Sequence, residues 1–303
     1  MKKQKAIILV DCSTLIYAAF HAMGHLSYNG QPTGVVYGFL SRLLTLAIRF
    51  KSNDFMFCWD AGSTHRSKAY PEYKHKRAEK RKEFTQEESI AYDSLVIQSL
   101  LLMNEVLPRM GFKNSFVAEN YEADDLLGMW VNKLSKYRQN IVMVTTDADM
   151  YQCLDKCSIW FIKDKKLFNR KKMIHKYKGT TPEQWALAKA IGGCAGDSVE
   201  GIKGISDPKN PKSKVHKYLR GTLTKGVVLD RINSKEGQKI IKRNLPLVTV
   251  PYREDIMPRM IRRRSNKFSK KRFLKEFNKH MFVSFLKKEN FRKWIKAFDL
   301  KQN

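Results

Sequence analysis

Carboxylates recur in this sequence at the ends of apolar runs and the starts of helical patterns: Asp11, Asp60, the group Glu122, Asp124 and Asp125, the pair Asp147 and Asp149, and Asp197 with Glu200. Taken singly, each has a plain reading. A strand-end Asp forms turns or caps helices, and first-turn acids meet the helix dipole favourably. Together they are out of place, because the chain holds 58 Lys+Arg against 29 Asp+Glu, a net charge of +29. Scarce acids in a basic protein should be dispersed as ion-pair partners. Carboxylates gathered on one edge repel, and each is driven toward protonation unless a cation compensates. A hard divalent ion, magnesium or manganese, is the natural compensator, held by several carboxylates together with waters and substrate phosphates. Two such ions can activate a water and stabilise the leaving oxygen of a phosphodiester. An acidic metal pocket inside a basic shell is the charge layout of a nuclease.

The elements that must position these acids are legible. Ala6 to Val10 runs into Asp11, Phe55 to Trp59 into Asp60, and Ile141 to Val144, after two threonines, into Asp147. Short continuous apolar runs separated by helical patterns predict buried parallel strands. Intervening helices are predicted from Gly34 to Phe50, with Val35, Val36, Phe39, Leu40, Leu43, Leu44 and Ala47 inward, and from Glu88 to Met110, with Leu95, Val96, Ser99, Leu102 and Val106 on one side. The alternation is βαβ, so the fold class is α/β with a parallel sheet. In such a sheet the carboxyl ends of the strands share one edge, and the three strand-end acids converge there. A helix capped by Asn120 should bring Glu122, Asp124 and Asp125 to the same edge.

Between the second strand and the second helix lies a basic insertion, Arg66 to Lys82, with Arg66, Lys68, Lys74, Lys76, Arg77, Lys80, Arg81 and Lys82 against Glu72 and Glu79. Its aromatics Tyr70, Tyr73 and Phe84 are few, so it is expected to stand off the body, ordered only in part. Thr181, Pro182 and Gln184 form a capping-box helix start, and that helix should stop at Gly192-Gly193. The glycine-punctuated stretch Gly196 to Ile205 predicts a helix, tight turn, helix unit offering backbone amides to a phosphate. Toward the end, Arg262 to Arg264 precede basic residues interleaved with Phe268, Phe273, Phe277, Phe282, Phe285, Phe291, Trp294 and Phe298, read as amphipathic helices packing back on the body.

With 43% apolar and 11% aromatic residues in 303, the chain can bury a real core and is not a disordered polybasic tail. Nucleic acid is the polyanion that so basic a protein is expected to meet. No apolar stretch is expected to span a membrane, and the run before Asp11 is far short of a signal peptide. The cysteines, Cys12, Cys58, Cys153, Cys157 and Cys194, are odd in number and scattered, which suits reduced thiols in a cytoplasm. Cys153 and Cys157 have no second ligand pair at zinc spacing and read as small buried hydrophobes.

The same residues carry a resemblance. Gly30-Gln31-Pro32-Thr33-Gly34 with Tyr37-Gly38-Phe39; Phe57-Cys58-Trp59-Asp60, then Arg66 and Tyr70-Pro71-Glu72-Tyr73-Lys74 with Arg77; Tyr121-Glu122-Ala123-Asp124-Asp125; Thr146-Asp147-Ala148-Asp149 with Gln152; and Gly196-Asp197 through Gly201-Ile202-Lys203-Gly204-Ile205 follow one another in order. Across about residues 6 to 205 this resembles the structure-specific 5′ nucleases: flap endonucleases, polymerase-associated 5′ exonucleases and phage 5′ nuclease/RNase H proteins. The resemblance implies a PIN-like nuclease domain over 1–180 with a helical arch at about 62–90, followed over 181–303 by a helix-three-turn-helix unit and a C-terminal helical DNA-binding region. It implies two metal ions, the first among Asp11, Asp60, Glu122 and Asp124, the second served by Asp125, Asp147, Asp149, Asp197 and Glu200. Lys74 and Arg77 would draw the scissile phosphate onto the metals. Arg66, Lys76, Arg81, Lys203, Lys209, Lys212, Lys214 and Lys217 would contact nucleic acid.

Two departures stand out. Where the family has a second Asp three residues after a Gly-Asp pair, this chain has Glu200. After Ile205 the stretch Ser206 to Lys212 looks like an inserted loop, so the potassium ion that some relatives hold in this turn is not expected here. The function so read is a divalent-metal-dependent 5′ nuclease, exo- or flap endonuclease, acting in replication on branched or 5′-ended duplex DNA and on RNA/DNA hybrids. It would be a monomer in the cytoplasm of a bacterium or phage-infected host, with replication proteins rather than membranes as partners. The rivals are a PIN-type ribonuclease acting on single-stranded RNA and a non-catalytic, junction-binding replication accessory.

Overall fold

The computed structural model describes residues 5–62, 64–137, 140–252 and 263–301. Arg262 lies outside these residues. Strands β1 (Ile7–Asp11), β2 (Phe55–Cys58), β3 (Ser115–Phe116), β4 (Ile141–Val144), β5 (Ser158–Phe161) and β6 (Lys166–Phe168) form one sheet in the order β3-β2-β1-β4-β5-β6. Neighbours are parallel except β5 with β6. Asp11 is in register with Cys58, and Val10 with Val144, so Asp11, Asp60 and Asp147 all leave the sheet at its carboxyl edge.

The strands are apolar throughout because both faces are covered. Ile8, Val10, Phe55, Phe57, Val142 and Val144 enter one core, and Ile7, Leu9, Met56, Cys58, Ile141 and Met143 the other. Helices α1 (Cys12–Met23), α2 (Gly34–Phe50) and α5 (Gln86–Leu101) cover the first face, after the short arch helices α3 (His65–Ala69) and α4 (His75–Lys82). Helix α6 (Ala123–Ser135) covers the second with Leu126, Leu127, Trp130 and Val131. The crossing of α1 and α2 needs Gly38, since a Cβ there would lie 2.8 Å from that of Ala19.

Helix α5 continues through a π turn, Leu102–Val106, to Met110, close to the expected span. Its buried side differs from the predicted one: Leu95, Gln98, Leu102 and Val106 face inward, while Val96 is exposed. Gln98 is inward for a reason of its own. Its Oε1 accepts from the amides of Val35 and Val36 at 2.9 and 3.3 Å, satisfying two of the orphan donors at the start of α2. The expectation about apolar stretches is also corrected, because Gln86–Met110 is long and apolar enough by composition to cross a membrane. Here that helix packs on α2, with Leu102, Val106, Leu107 and Met110 fully enclosed.

After β6, helices α7 (Trp185–Gly192) and α8 (Lys235–Val248) build a third core with Val199, Ile202, Val215 and Ile232. The Thr181–Gln184 capping box is present, and the left-handed Gly193 ends α7. A Cβ on Gly201 would fall 2.3 Å from the Gly192 backbone, which is how closely the turn folds back. The next helix, Lys214–Leu219, starts only after the Ser206–Lys212 loop, so the turn between the two helices is longer than the tight one predicted. Helices α9 (Lys270–Lys279) and α10 (Lys288–Phe298) return to the first core, where Phe298 packs 6.0 Å from Phe55 and 5.7 Å from Phe112 between ring centres. Residues 268–300 therefore close the sheet's first face, and the division at 180 does not separate two cores.

The insertion is anchored, contrary to expectation. Arg66 is 2% exposed and Tyr73 7%, Tyr73 lying in the third core; among 75–82 no residue is buried. A few aromatics suffice because Arg66 supplies the anchor through an ion pair.

Candidate metal centre

Asp11 ends β1 and caps α1. Its carboxylate accepts from the Thr14 amide at 3.2 Å, the Thr14 hydroxyl at 2.6 Å and the Thr145 hydroxyl at 2.9 Å. Asp60, two residues past β2, accepts from the Ser13 hydroxyl at 2.5 Å and from the Ala123 amide at 2.9 Å, tying the sheet edge to the start of α6. Asp147 caps the 3-10 turn Ala148–Cys153 by accepting from the Asp149 amide at 2.8 Å. Asp124 stands half-buried in the first turn of α6. Hydrogen bonds bring the elements that carry these four together at one edge, Thr14 linking Asp11 to the Thr146 amide and Asp60 accepting from the Ala123 amide beside Asp124. Burial, and then the charge of Asp60, push the Asp11 carboxyl up to about 6. Burial and then Asp147, Asp11 and Asp60 push Asp124 well above the carboxylate range. Hard oxygen donors that suppress each other's ionisation are a donor set that fits a divalent cation.

Glu122, not Asn120, is the N-cap of α6; Asn120 is left-handed, with φ 64°. The Glu122 carboxylate receives Lys74 Nζ at 2.5 Å and the Tyr73 hydroxyl at 3.0 Å, so it meets the acids through the arch. Asp125 is corrected outright. It is fully buried, and its oxygens take Arg66 Nη1 and Nη2 at 2.6 and 2.7 Å, the Glu122 amide at 3.1 Å and the Tyr252 amide at 2.8 Å. No lone pair remains for an ion. Arg66 is corrected with it, because its remaining donors go to the carbonyls of Leu247 and Thr249 and, at 3.5 Å, to the Glu122 carboxylate, and none is offered to nucleic acid.

The second group is Asp149, Asp197 and Cys194, whose ligand atoms lie within 4.8 Å of one another. Lys189, wholly buried on α7, places Nζ 2.8 Å from Asp149 Oδ1, an ion pair outside hydrogen-bond angles, and donates to Cys194 Sγ at 3.1 Å. Cys194 Sγ donates to Asp197 Oδ2 at 3.0 Å, and Arg77 Nη2 to Asp197 Oδ1 at 2.7 Å. Burial, against the pull of Lys189, raises Asp149 to about 6. Asp197 is lowered, the cost of burial being outweighed by Lys74, the Cys194 bond and Arg77. Burial pushes the Cys194 thiol up to about 12, in keeping with its role as donor.

Glu200 is corrected too. It is exposed, its carboxylate has no partner among the described residues, and its backbone carbonyl accepts from Arg243 and Asn244. The side chain beside Asp197 is instead the Cys194 thiol, three residues before it in Gly193-Cys194-Ala195-Gly196-Asp197. Cys194 and Lys189 are the residues that sequence reasoning missed. The signals were that spacing and a lysine between Ala188 and Ala190 on an apolar helix.

The arch base is fixed to both groups. Lys74 is left-handed at φ 58°; its amide donates to the Asp197 carbonyl at 2.8 Å while Nζ reaches Glu122. Burial works against the Lys74 ammonium, yet Glu122 and Asp197 hold it above its ordinary range. Arg77 Nε donates to the Gly196 carbonyl at 3.1 Å. Lys76 lies outward beside Ser198, and Arg81 reaches the Tyr92 hydroxyl at 3.0 Å and lies over that ring. Beneath the arch is a cleft of about 770 Å³ running from Asp60 and Glu122 past Lys74 and Arg77 to Tyr17, Phe20, Phe84 and Tyr92. Lys203, Lys209, Lys212, Lys214 and Lys217 are all exposed, with the loop held by Asx bonds from Asp207 and Asn210 to the amides of Lys209 and Lys212.

Residues 6–178 match the family described as 5′-3′ exonuclease, N-terminal resolvase-like domain. The chain is 30% identical over 212 residues to a 5′-3′ exonuclease of Bacillus subtilis, covering 66% of this chain and 67% of that one. It is 29% identical over 204 residues to the thermostable DNA polymerase I of Thermus filiformis, covering 67% of this chain and 23% of that one. The chain thus spans less than a quarter of the polymerase's length. Its backbone is similar to a solved T5 5′-exonuclease with bound divalent metal ions (zinc), with TM-score 0.66, 22% identity, and 81% and 90% of the two chains covered. It is likewise similar to a T5 flap endonuclease solved with DNA and metal ions, with TM-score 0.65, 22% identity, and 80% and 88% covered.

Proposed function

The chain belongs to the 5′-3′ exonuclease family, and we propose that it is a divalent-metal-dependent 5′ nuclease that cuts DNA phosphodiesters near duplex/single-strand junctions, with RNA/DNA hybrids within its range. One observation carries this reading: at the carboxyl edge of the sheet the charges of Asp11, Asp60 and Asp147 all act on Asp124, and Asp60, with Glu122, lines a cleft roofed by a basic helix. Bound among these acids, magnesium or manganese supplies Lewis acidity and a water of lowered pKa. Lys74 and Arg77, paired with Glu122 and Asp197 at the arch base, line the cleft beside the acids, where a phosphate and its developing charge would be drawn. Tyr17, Phe20, Phe84 and Tyr92 with Lys80 and Arg81 offer a single strand both stacking surfaces and backbone neutralisation. The exposed lysines from Lys203 to Lys217 supply a sequence-independent duplex grip. Buried free thiols suit a reducing cytoplasm as the working compartment.

The test is one assay with 5′-labelled flap, nicked, overhang, RNA/DNA hybrid and free single-stranded RNA substrates, with magnesium present and then chelated. Cutting near the junction that stops on chelation is expected. Equal cutting of free single-stranded RNA, or cutting that survives chelation, contradicts the reading.

A further inference from the structure

We infer that the Lys189 ammonium is the resident cation of the second carboxylate group, so that in the absence of DNA the chain holds one tightly bound divalent ion, among Asp11, Asp60, Asp124 and Asp147, and not two. The inference rests on the reading of this edge as a divalent-metal site.

Charge compensation across the two groups is uneven. The described partners of Asp11 and Asp60 are hydroxyls and backbone amides, from Thr14, Thr145, Ser13 and Ala123. The nearby ammonium of Lys74 is already engaged by Glu122. None of the four carboxyls takes part in an ion pair among the described residues. In the second group Asp149 has Lys189 at 2.8 Å, Asp197 has Arg77 at 2.7 Å, and the third member is a thiol that donates rather than a carboxylate. Two negative charges meet two positive ones before any ion arrives.

Position matters as much as charge. Lys189 Nζ touches both Asp149 and Cys194, the space that an ion shared by them would take. The side chain is completely enclosed on a helix that packs along α8. A fully buried lysine persists only when paired, and displacing it by an ion would leave a second cation unpaired in the interior. Lys189 also acts on the first group as a positioning residue. It fixes Asp149, whose amide donates to the Asp147 carboxylate at 2.8 Å.

The test counts manganese bound per full-length chain by electron paramagnetic resonance, without DNA. One tight ion is expected for the wild type. Asp149→Asn, nearly isosteric though it leaves the buried Lys189 without its carboxylate partner, should leave the count at one in the folded chain, and Lys189→Met should raise it to two. Cadmium should give no thiolate charge-transfer band, since Cys194 holds no ion. Two comparable ions in the wild type, a count lowered by Asp149→Asn, an unchanged count in folded Lys189→Met or a cadmium-thiolate band each overturn the inference while leaving the nuclease reading intact. No bound manganese at all overturns both.

Discussion

The amide of Lys74 donates to the carbonyl of Asp197 across 2.8 Å, joining the start of the basic arch helix to the turn that carries the second group of acids. Lys74 holds a left-handed backbone that residues other than glycine seldom adopt. Such a conformation survives where its surroundings over-determine it, here the Asp197 bond on one side and Glu122 on the other. The arch base is thereby built into the acidic edge.

Lys74→Ala and Arg77→Ala should each slow single-turnover cleavage by roughly 10²-fold or more, the scale of losing one donor to a developing oxyanion. DNA affinity should change only a few-fold, since each removes one charge among many. Rapid-quench rates beside equilibrium binding decide it; an unchanged rate removes these residues from the catalytic role.

Asp60→Asn and Asp147→Asn should abolish cleavage while leaving DNA binding intact or tighter, because repulsion of the phosphate falls as the charge is lost. Electrophoretic mobility and cleavage on the same flap substrate report both quantities. Binding lost in parallel with activity would count against a metal role for these acids.

Arg66→Ala should destabilise the fold by about 3–5 kcal/mol, since it strands Asp125 as an unpaired buried charge. Urea unfolding measures this, and the double replacement Arg66→Met with Asp125→Leu should recover part of the loss. A variant of full stability with weakened DNA binding would return Arg66 to the nucleic-acid surface.

The raised carboxyls set a pH dependence. Asp11, held at about 6 in the fold against 3.8 ordinarily, keeps its proton longer folded than unfolded, as does Asp124. Metal-free stability therefore falls as pH rises from about 4 through about 6, and an added divalent ion offsets the loss above that window. The rise in melting temperature caused by manganese should be larger at about pH 7.5 than at about pH 5. An equal rise at both would show that these carboxyls do not bind the ion.

What the sequence made legible is what local pattern can carry. Continuous apolar runs gave away β1, β2 and β4, and their terminal acids followed from a shared edge. The Thr181 capping box and the span of α2 were equally local. What was missed depends on partners distant in sequence. Nothing around Asp125 announces Arg66, 59 residues away, so a buried ion pair was read as a ligand and a DNA contact. The buried side of α5 shifted because Gln98 turns inward to the start of α2, a demand made by another helix. Cys194 was classed with the inert thiols because its partners Lys189 and Asp197 become neighbours only when the turn after α7 folds back. Glu200 illustrates the converse, since a plausible spacing ends in an exposed carboxylate.

The central claim is that acids from β1, β2, α6 and the turn after β4 share a divalent ion. Anomalous scattering from crystals grown with manganese tests it most directly. A peak within coordination distance of Asp11, Asp60, Asp124 and Asp147, lost in Asp124→Asn, is the predicted result. Well-ordered crystals with no manganese among these four carboxylates, or with its peak elsewhere, would contradict the account.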